Sequence, residues 1–469
     1  MPKLPLLRLG MALLAAMPLS ARLSAQEANP VSGPAPTADE RINELSREVA
    51  DLKTLVMQLQ DQLRKALGAP SPPAAGISPP KEIAAPAVAA PAAASNTGLF
   101  GGTTMNVLLD GYYEWNGNSP VGRANYLRAY DVSSNSFSLN QADVVLESAP
   151  DLSIDKRYGA RLDLQFGQAT STLQGNPANE LRPDVYRNVF QAYGTYIFPV
   201  AAGLTFDFGK WASSLGLEGN YTKDQLNYSR SFLFDFLPFY HTGLRSKLAL
   251  NDQLALNVWI TNGTEQTEAF NNYKDQMFGI LFTPTPALSW TMNYYQGQEH
   301  PDVIYEQIPT QPNLPYQQGT YILPIANAPD GKLQIVDTYV TWQVLPSLIL
   351  AAEADYVQQR LYSFSSPARV EGGALYAGYQ FFPKLALAAR AEYLADIGGL
   401  FSGVTQYLKE GTLTLDYRPA DHFLMRGEYR RDQSNRLYFL GHTLGMLESS
   451  QPTIGLGLVW WFGQKDGVW

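Results

Sequence analysis

Residues 423–430 read Phe423-Leu424-Met425-Arg426-Gly427-Glu428-Tyr429-Arg430. Phe423, Met425 and Tyr429 share one parity, and Arg426, Glu428 and Arg430 share the other. A period of two marks an extended strand, whose side chains point alternately to two faces. Here one face is apolar and the other carries repeated charge. In a soluble sheet the apolar face would point to a core. In an outer-membrane barrel it points to lipid, and the charged face lines the lumen. The charge on the second face favours the barrel.

The same rhythm runs from Thr103 to the end of the chain. Leu162, Leu164 and Phe166 alternate with Arg161, Asp163 and Gln165. Leu254, Leu256, Val258 and Ile260 alternate with Ala255, Asn257, Trp259 and Thr261. Leu348, Leu350, Ala352 and Ala354 alternate with Ile349, Glu353 and Asp355. Short connections fall at Pro150–Asp155, Pro199–Gly203, Asn251-Asp252, Pro284–Pro286, Pro346, Pro383 and Pro419–Asp421. Long ones fall near 116–135, 169–187, 212–239, 264–274, 299–331, 361–368, 396–404 and 432–452. The two kinds alternate strictly. This predicts an all-β fold, a transmembrane antiparallel β-barrel of about 16 strands with short periplasmic turns and long external loops. Closure pairs every backbone N–H and C=O in lipid. A barrel of about 16 strands also encloses an aqueous channel.

The N-terminal part has a different grammar. Lys3 and Arg8 precede an apolar segment, Leu9 to Leu19, followed by Leu23-Ser24-Ala25; residues 1–25 read as a secretory signal peptide. Over residues 38–67, Ile42, Val49, Val56 and Leu63 repeat at one heptad position and Leu45, Leu52, Leu59 and Ala66 at the other. That spacing predicts an α-helical coiled coil before the barrel, opened by a Thr37/Glu40 capping box. Leu55 and Leu67 widen the apolar face, so dimer and trimer both stay open. A single amphipathic helix lying on the protein or on peptidoglycan is the competing reading. Residues 68–98 are rich in Pro and Ala and almost uncharged, which predicts an extended linker. The barrel domain then takes 99–469.

Composition narrows the chemistry. The formal net charge is -9, against the basic footprint that nucleic-acid binding needs. With no cysteine, thiolate ligands, disulfides and a Cys nucleophile are excluded. The histidines are His241, His300, His422 and His442; neither a Gly-x-Ser-x-Gly elbow nor a His-Glu-x-x-His pair occurs. No catalytic residue, metal or cofactor is expected, and His241, at the start of a strand, reads as a loop anchor.

The third long loop, 212–239, carries Tyr221, Tyr228, Phe232, Phe234 and Phe236 together with Glu218, Lys223, Asp224, Arg230 and Asp235. So many large apolar groups are poorly placed on an exposed loop. Folding inward against the wall would bury them and put the charges in a constriction, where low-dielectric walls focus the field. Packing over the barrel mouth is the alternative. The parity of the strands assigns Arg161, Arg245, Lys247, Arg390, Arg426 and Arg430 to the lumen as bases. The same parity assigns Asp163, Glu353, Asp355, Glu392, Asp416 and Glu428 as acids, some of them expected to pair off as structural salt bridges.

Phe208-Gly209-Lys210-Trp211, Leu215-Gly216, Asn227-Tyr228-Ser229-Arg230-Ser231, Leu237-Pro238-Phe239, His241-Thr242-Gly243 and Asn262-Gly263 together resemble the OmpL-like putative β-barrel porin family. The resemblance covers the barrel from about Phe100 to the C-terminus and implies a Gram-negative outer-membrane porin, without implying a substrate. The expected function is passive diffusion of small hydrophilic solutes or ions. The expected partners are outer-membrane lipid, those solutes, further copies of the chain in a dimer or trimer, and peptidoglycan at a periplasmic coil. A structural anchor tethering the envelope to the cell wall is the alternative.

Overall fold

The computed structural model describes residues 102–173, 180, 182–309, 320–327, 331–360, 366–465 and 467–469. The expected signal peptide, coiled coil and linker lie outside these residues. Sixteen strands carry the fold. They are β1 (Thr104–Asn116), β2 (Ser136–Ser148), β3 (Tyr158–Phe166), β4 (Val189–Phe198), β5 (Leu204–Ala212), β6 (Tyr240–Ala249), β7 (Leu254–Thr261) and β8 (Asp275–Thr285). They continue as β9 (Leu288–Gly297), β10 (Leu333–Leu345), β11 (Leu348–Gln359), β12 (Ala368–Phe382), β13 (Leu385–Ile397), β14 (Gln406–Ala420), β15 (Phe423–Ser434) and β16 (Ser450–Gly463).

Each strand pairs antiparallel with its neighbour in sequence, and β1 pairs with β16 to close the barrel. Closure leaves no sheet edge to satisfy. The connections 149–157, 199–203, 250–253, 286–287, 346–347, 383–384 and 421–422 lie at one end, and the long loops lie at the other. Two of those loops carry small antiparallel ribbons, Val303–Pro309 with Thr320–Asn327 and Phe439–Leu440 with Leu447–Glu448.

The alternation read from the sequence is the alternation of the wall. On β14, Leu413, Leu415 and Tyr417 are exposed outward, while Thr412, Thr414 and Asp416 are buried inward. Trp115, Trp290, Trp342, Phe208, Phe282 and Phe462 also stand outside, part of an exposed apolar surface that circles the barrel. A soluble monomer does not expose an apolar surface of that extent, and lipid removes its cost. No helix among the described residues is long and apolar enough to cross a membrane.

The largest packed cluster lies inside the barrel. Trp211, Trp259, Met277 and Tyr295 from the wall meet Leu215, Leu217, Phe232, Leu233 and Leu237 from the segment between β5 and β6. Burying side chains of this size contributes about 1.5–3 kcal/mol each. That contribution decides where the loop goes.

Candidate functional site in the barrel lumen

The segment 213–239 is the third external loop, and its partners show its path. The Leu217 N–H donates to Glu353 on β11 at 2.9 Å. The Tyr228 and Ser229 N–H groups donate to the Glu428 carboxylate on β15 at 2.6 and 3.0 Å. Asn227 donates to the Thr414 hydroxyl on β14 at 2.7 Å. The Thr222 hydroxyl donates to Asp110 on β1 at 2.7 Å. All these acceptors occupy inward positions, so a loop rooted in β5 and β6 crosses the lumen to the far wall. Irregular backbone carries N–H groups that need acceptors once buried. Inward carboxylates supply them.

Glu392 on β13 performs a second version of this task. Ser231 caps a short helix, Phe232–Phe236, by accepting the Phe234 N–H at 3.0 Å. Glu392 accepts the Phe232 and Leu233 N–H groups, both at 2.8 Å. A carboxylate at the first free N–H groups of a helix is well placed by charge and by geometry.

Every pore-lining candidate points inward: Arg161 and Asp163 on β3, Arg245 and Lys247 on β6, Glu353 and Asp355 on β11, Arg390 and Glu392 on β13, Asp416 on β14, and Arg426, Glu428 and Arg430 on β15. Their surroundings differ. Arg390 bonds Glu218 of the loop at 2.7 Å, the Ser229 carbonyl at 2.8 Å and Glu410 at 3.1 Å, with its side chain fully buried. Arg426 bonds Asp416 at 2.9 Å and the Thr222 and Asn227 carbonyls at 2.5 and 3.1 Å. Arg430 bonds Asp432 at 2.7 Å. Arg161 lies 3.2 Å from Asp163 and 3.5 Å from Glu147. Arg245 reaches Asp207 at 2.6 Å and stacks on Tyr193 and Trp211, but keeps 23% of its side chain exposed. Lys247 is half-buried and has no acidic partner among the described residues.

Within the loop, Arg230 is buried and donates to the carbonyls of Gly219, Asn220 and Tyr228 at 2.8, 2.7 and 2.6 Å, with Tyr130 against its guanidinium face. It holds the loop in shape. Burial would raise the Glu218 carboxyl, but Arg390 and Arg230 outweigh it and leave it below its ordinary range. Burial pushes Asp235 up to about 7 against the pull of Arg430. Burial lowers Lys223, which bonds Asp224 at 2.7 Å and the Gly467 carbonyl at 2.7 Å. The chain end is packed here as well: the Trp469 ring lies edge-on to Tyr221 at 5.3 Å and under the Lys223 ammonium.

Several inward groups escaped the sequence reading. Glu410 sits between Arg390 and Arg430. Asp110 accepts from Thr222, Asn140 and Tyr228. Arg128 of the first loop binds Asp432 at 2.8 Å. Strand parity could have found Glu410 and Asp110, which share the face of Asp416 and Glu114. Asp337, Glu353 and Asp355 bring carboxylate oxygens within 4.8 Å of one another, the one group among the described residues that could hold a cation. Asn293 donates to Asp337 at 2.7 Å, and the Leu217 N–H to Glu353, so protein donors already occupy part of the trio.

His241 lies 3.1 Å from the Ser213 hydroxyl, with its other ring nitrogen 3.3 Å from the Gly263 carbonyl. Both side chains are buried, and the cavity beside Ser213 measures about 20 Å³, room for a water and not for a substrate. The histidine ties the start of the loop to the wall.

The sequence matches the family described as Putative beta-barrel porin-2, OmpL-like, over residues 102–462. Comparison with curated proteins finds no match. Among solved structures the chain is similar to an anion-selective porin from Comamonas acidovorans, at 8% identity and a TM-score of 0.49 over 77% of this chain and 99% of that one. It is similar to in-vitro folded OmpT of Vibrio cholerae in its trimer form, at 10% identity and 0.48 over 77% and 99%. It is also similar to Salmonella typhi OmpF in complex with daunomycin, at 12% identity and 0.44 over 77% and 97%. At these identities the likeness is one of barrel architecture only.

Proposed function

The chain belongs to the Putative beta-barrel porin-2, OmpL-like family, and we propose that its barrel is a water-filled outer-membrane channel for passive diffusion of small hydrophilic solutes or ions. The third loop sets the constriction. It rests on the wall formed by β11, β13–β15 and β1, its start packs on Trp211 and Trp259 toward the long-loop ends of β5 and β7, and solute passes along the half of β4–β7 nearer the short turns. One observation carries this reading. Inward Thr195, Thr205, Arg245, Lys247 and Asn257 keep partial exposure, whereas Asp416 and Arg426, at similar distances from the short turns, are buried under the loop. Mixed charge beside the remaining passage favours hydrated polar solutes over apolar ones.

The same proposal assigns the segments before the barrel: a signal peptide over 1–25, a periplasmic coiled coil over 38–67 that joins two or three copies and touches peptidoglycan, and a linker over 68–98. Planar-bilayer recording of the refolded full chain tests the channel. Stepwise openings are expected, with a reversal potential in a salt gradient. Silence from a demonstrably folded barrel would overturn the channel and leave the structural anchor.

A further inference from the structure

The outer wall carries a feature that a lipid-facing surface does not need. Lys409 on β14 and Arg431 on β15 both point outward and are exposed. Arg431 lies directly opposite Gly411, and Lys409 directly opposite Gln433, so the two cations are diagonal neighbours on one outward row. Neither has an acidic partner among the described residues. On β12, by contrast, Arg369 faces Glu371 at 3.8 Å. A cation facing hydrocarbon is unfavourable unless it reaches the headgroup level or meets an anion.

The surface is concave at this point. Lys409, Gly411, Leu413, Tyr429, Arg431 and Gln433 line a groove of about 450 Å³. Its floor is Gly411, where a Cβ would meet nothing within 4 Å. The cations sit toward the long-loop end of their strands, level with the stacked Tyr393 and Tyr407 rings, and the apolar Leu413 and Leu415 lie on the opposite side. Aromatic rings at this level mark the boundary between hydrocarbon and headgroups.

We propose that this groove holds the phosphate-bearing headgroup of an anionic membrane lipid, with Lys409 and Arg431 on the phosphate and an acyl chain along Leu413 and Tyr429. Diagonal residues on paired strands lie about 7–8 Å apart, close enough for two long cationic side chains to converge on one phosphate. A guanidinium matches two phosphate oxygens with its planar fork, and an ammonium adds a point charge. The missing side chain at Gly411 makes room for the headgroup.

Native mass spectrometry of the detergent-solubilised full chain tests this, after exposure to equal amounts of phosphatidylglycerol and phosphatidylcholine with matched acyl chains. The wild type retains phosphatidylglycerol preferentially. Lys409→Gln with Arg431→Gln lowers that retention about thirtyfold. Gly411→Leu fills the groove without removing charge and lowers it comparably. Gly427→Leu, also outward-facing with open space around its Cβ but outside the groove, retains lipid as the wild type does. Heat-dependent gel mobility verifies that each variant is a folded barrel. Equal retention of the two lipids, or wild-type retention in the folded double and Gly411 variants, overturns the proposal. Displacement of the lipid by millimolar inorganic phosphate overturns it too, because the site would then recognise free phosphate rather than a lipid.

Discussion

Arg390 on β13 and Lys247 on β6 point into one lumen from opposite walls. Arg390 lies under the third loop, with no exposed side-chain surface and with Glu218, Glu410 and the Ser229 carbonyl around it. Lys247 stands half-exposed and without an acidic partner among the described residues. The wall that the loop covers has become protein interior, where a charge without a partner costs several kcal/mol. The wall it leaves bare is still solvated, and there a lone ammonium is tolerated. The loop, more than the wall sequence, decides which inward charges are buried among protein partners and which keep exposure.

Breaking an ion pair on each wall measures this contrast most directly. Arg390→Ala strands Glu218 and Glu410 in the covered region and should destabilise the barrel by about 3–5 kcal/mol. Arg245→Ala leaves Asp207 buried but still hydrogen-bonded to the Thr195 hydroxyl, at a site where the guanidinium was partly exposed, and should cost less, about 1–2 kcal/mol. The shift in denaturant midpoint, followed by tryptophan fluorescence, checks both. Equal losses would mean that the two walls are equally solvated.

Ion selectivity sharpens the comparison from the other side. Lys247→Glu changes the bare wall by two charges and should move the reversal potential toward cations. A roughly twofold change in permeability ratio is expected, because a Debye length of about 8 Å confines one side chain's field to its own part of the lumen. Glu410→Gln, hidden between Arg390 and Arg430, should leave the potential where it is. A larger shift from Glu410→Gln than from Lys247→Glu would place the solute path on the other wall.

Much of this architecture was legible in the sequence, because a strand writes its two faces into alternate residues. Phe423, Met425 and Tyr429 against Arg426, Glu428 and Arg430 are enough to assign lipid and lumen. The inward fold of 213–239 was legible only as the favoured of two readings: Phe232 and Phe234 are poorly placed on an exposed loop, but packing over the barrel mouth would also have buried them. What the pattern could not supply was pairing across the lumen. Glu392 and Glu428 read as pore charges, yet both accept backbone N–H groups of the loop, a task set by the loop's path and not by either strand. Arg128 and Asp432 are 304 residues apart and meet only because closure of the barrel brings the first loop beside β15. Lys409 and Arg431 were passed over for a different reason: an outward charge reads as a break in the lipid face until its neighbour across the strand is known.

The subtlest difference between the walls is one of protons. Asp235 ends up beside Arg430 in the covered region, and burial carries its carboxyl from the ordinary 3.8 up to about 7. The group therefore binds its proton more tightly when the loop is docked than when it is released. Below about pH 4 both states hold the proton, and Asp235 contributes nothing to the balance. Between about pH 4 and 7 the released loop loses the proton first, so docking weakens as pH rises, and above 7 the penalty stays constant. Glu218 behaves oppositely, but its carboxyl is held below 4.5, so its contribution falls away only under more acidic conditions. The two windows meet only near pH 4 to 4.5, and above that range Asp235 acts alone of the two. The thermal midpoint of the wild type should accordingly fall between pH 4.5 and 7.5, and Asp235→Asn, which cannot ionise, should make that fall shallower without abolishing it. A wild-type midpoint that is flat over the same range would mean that water reaches Asp235 freely, and that the covered wall is less enclosed around Asp235 than the pairing of Arg390 and Arg430 implies.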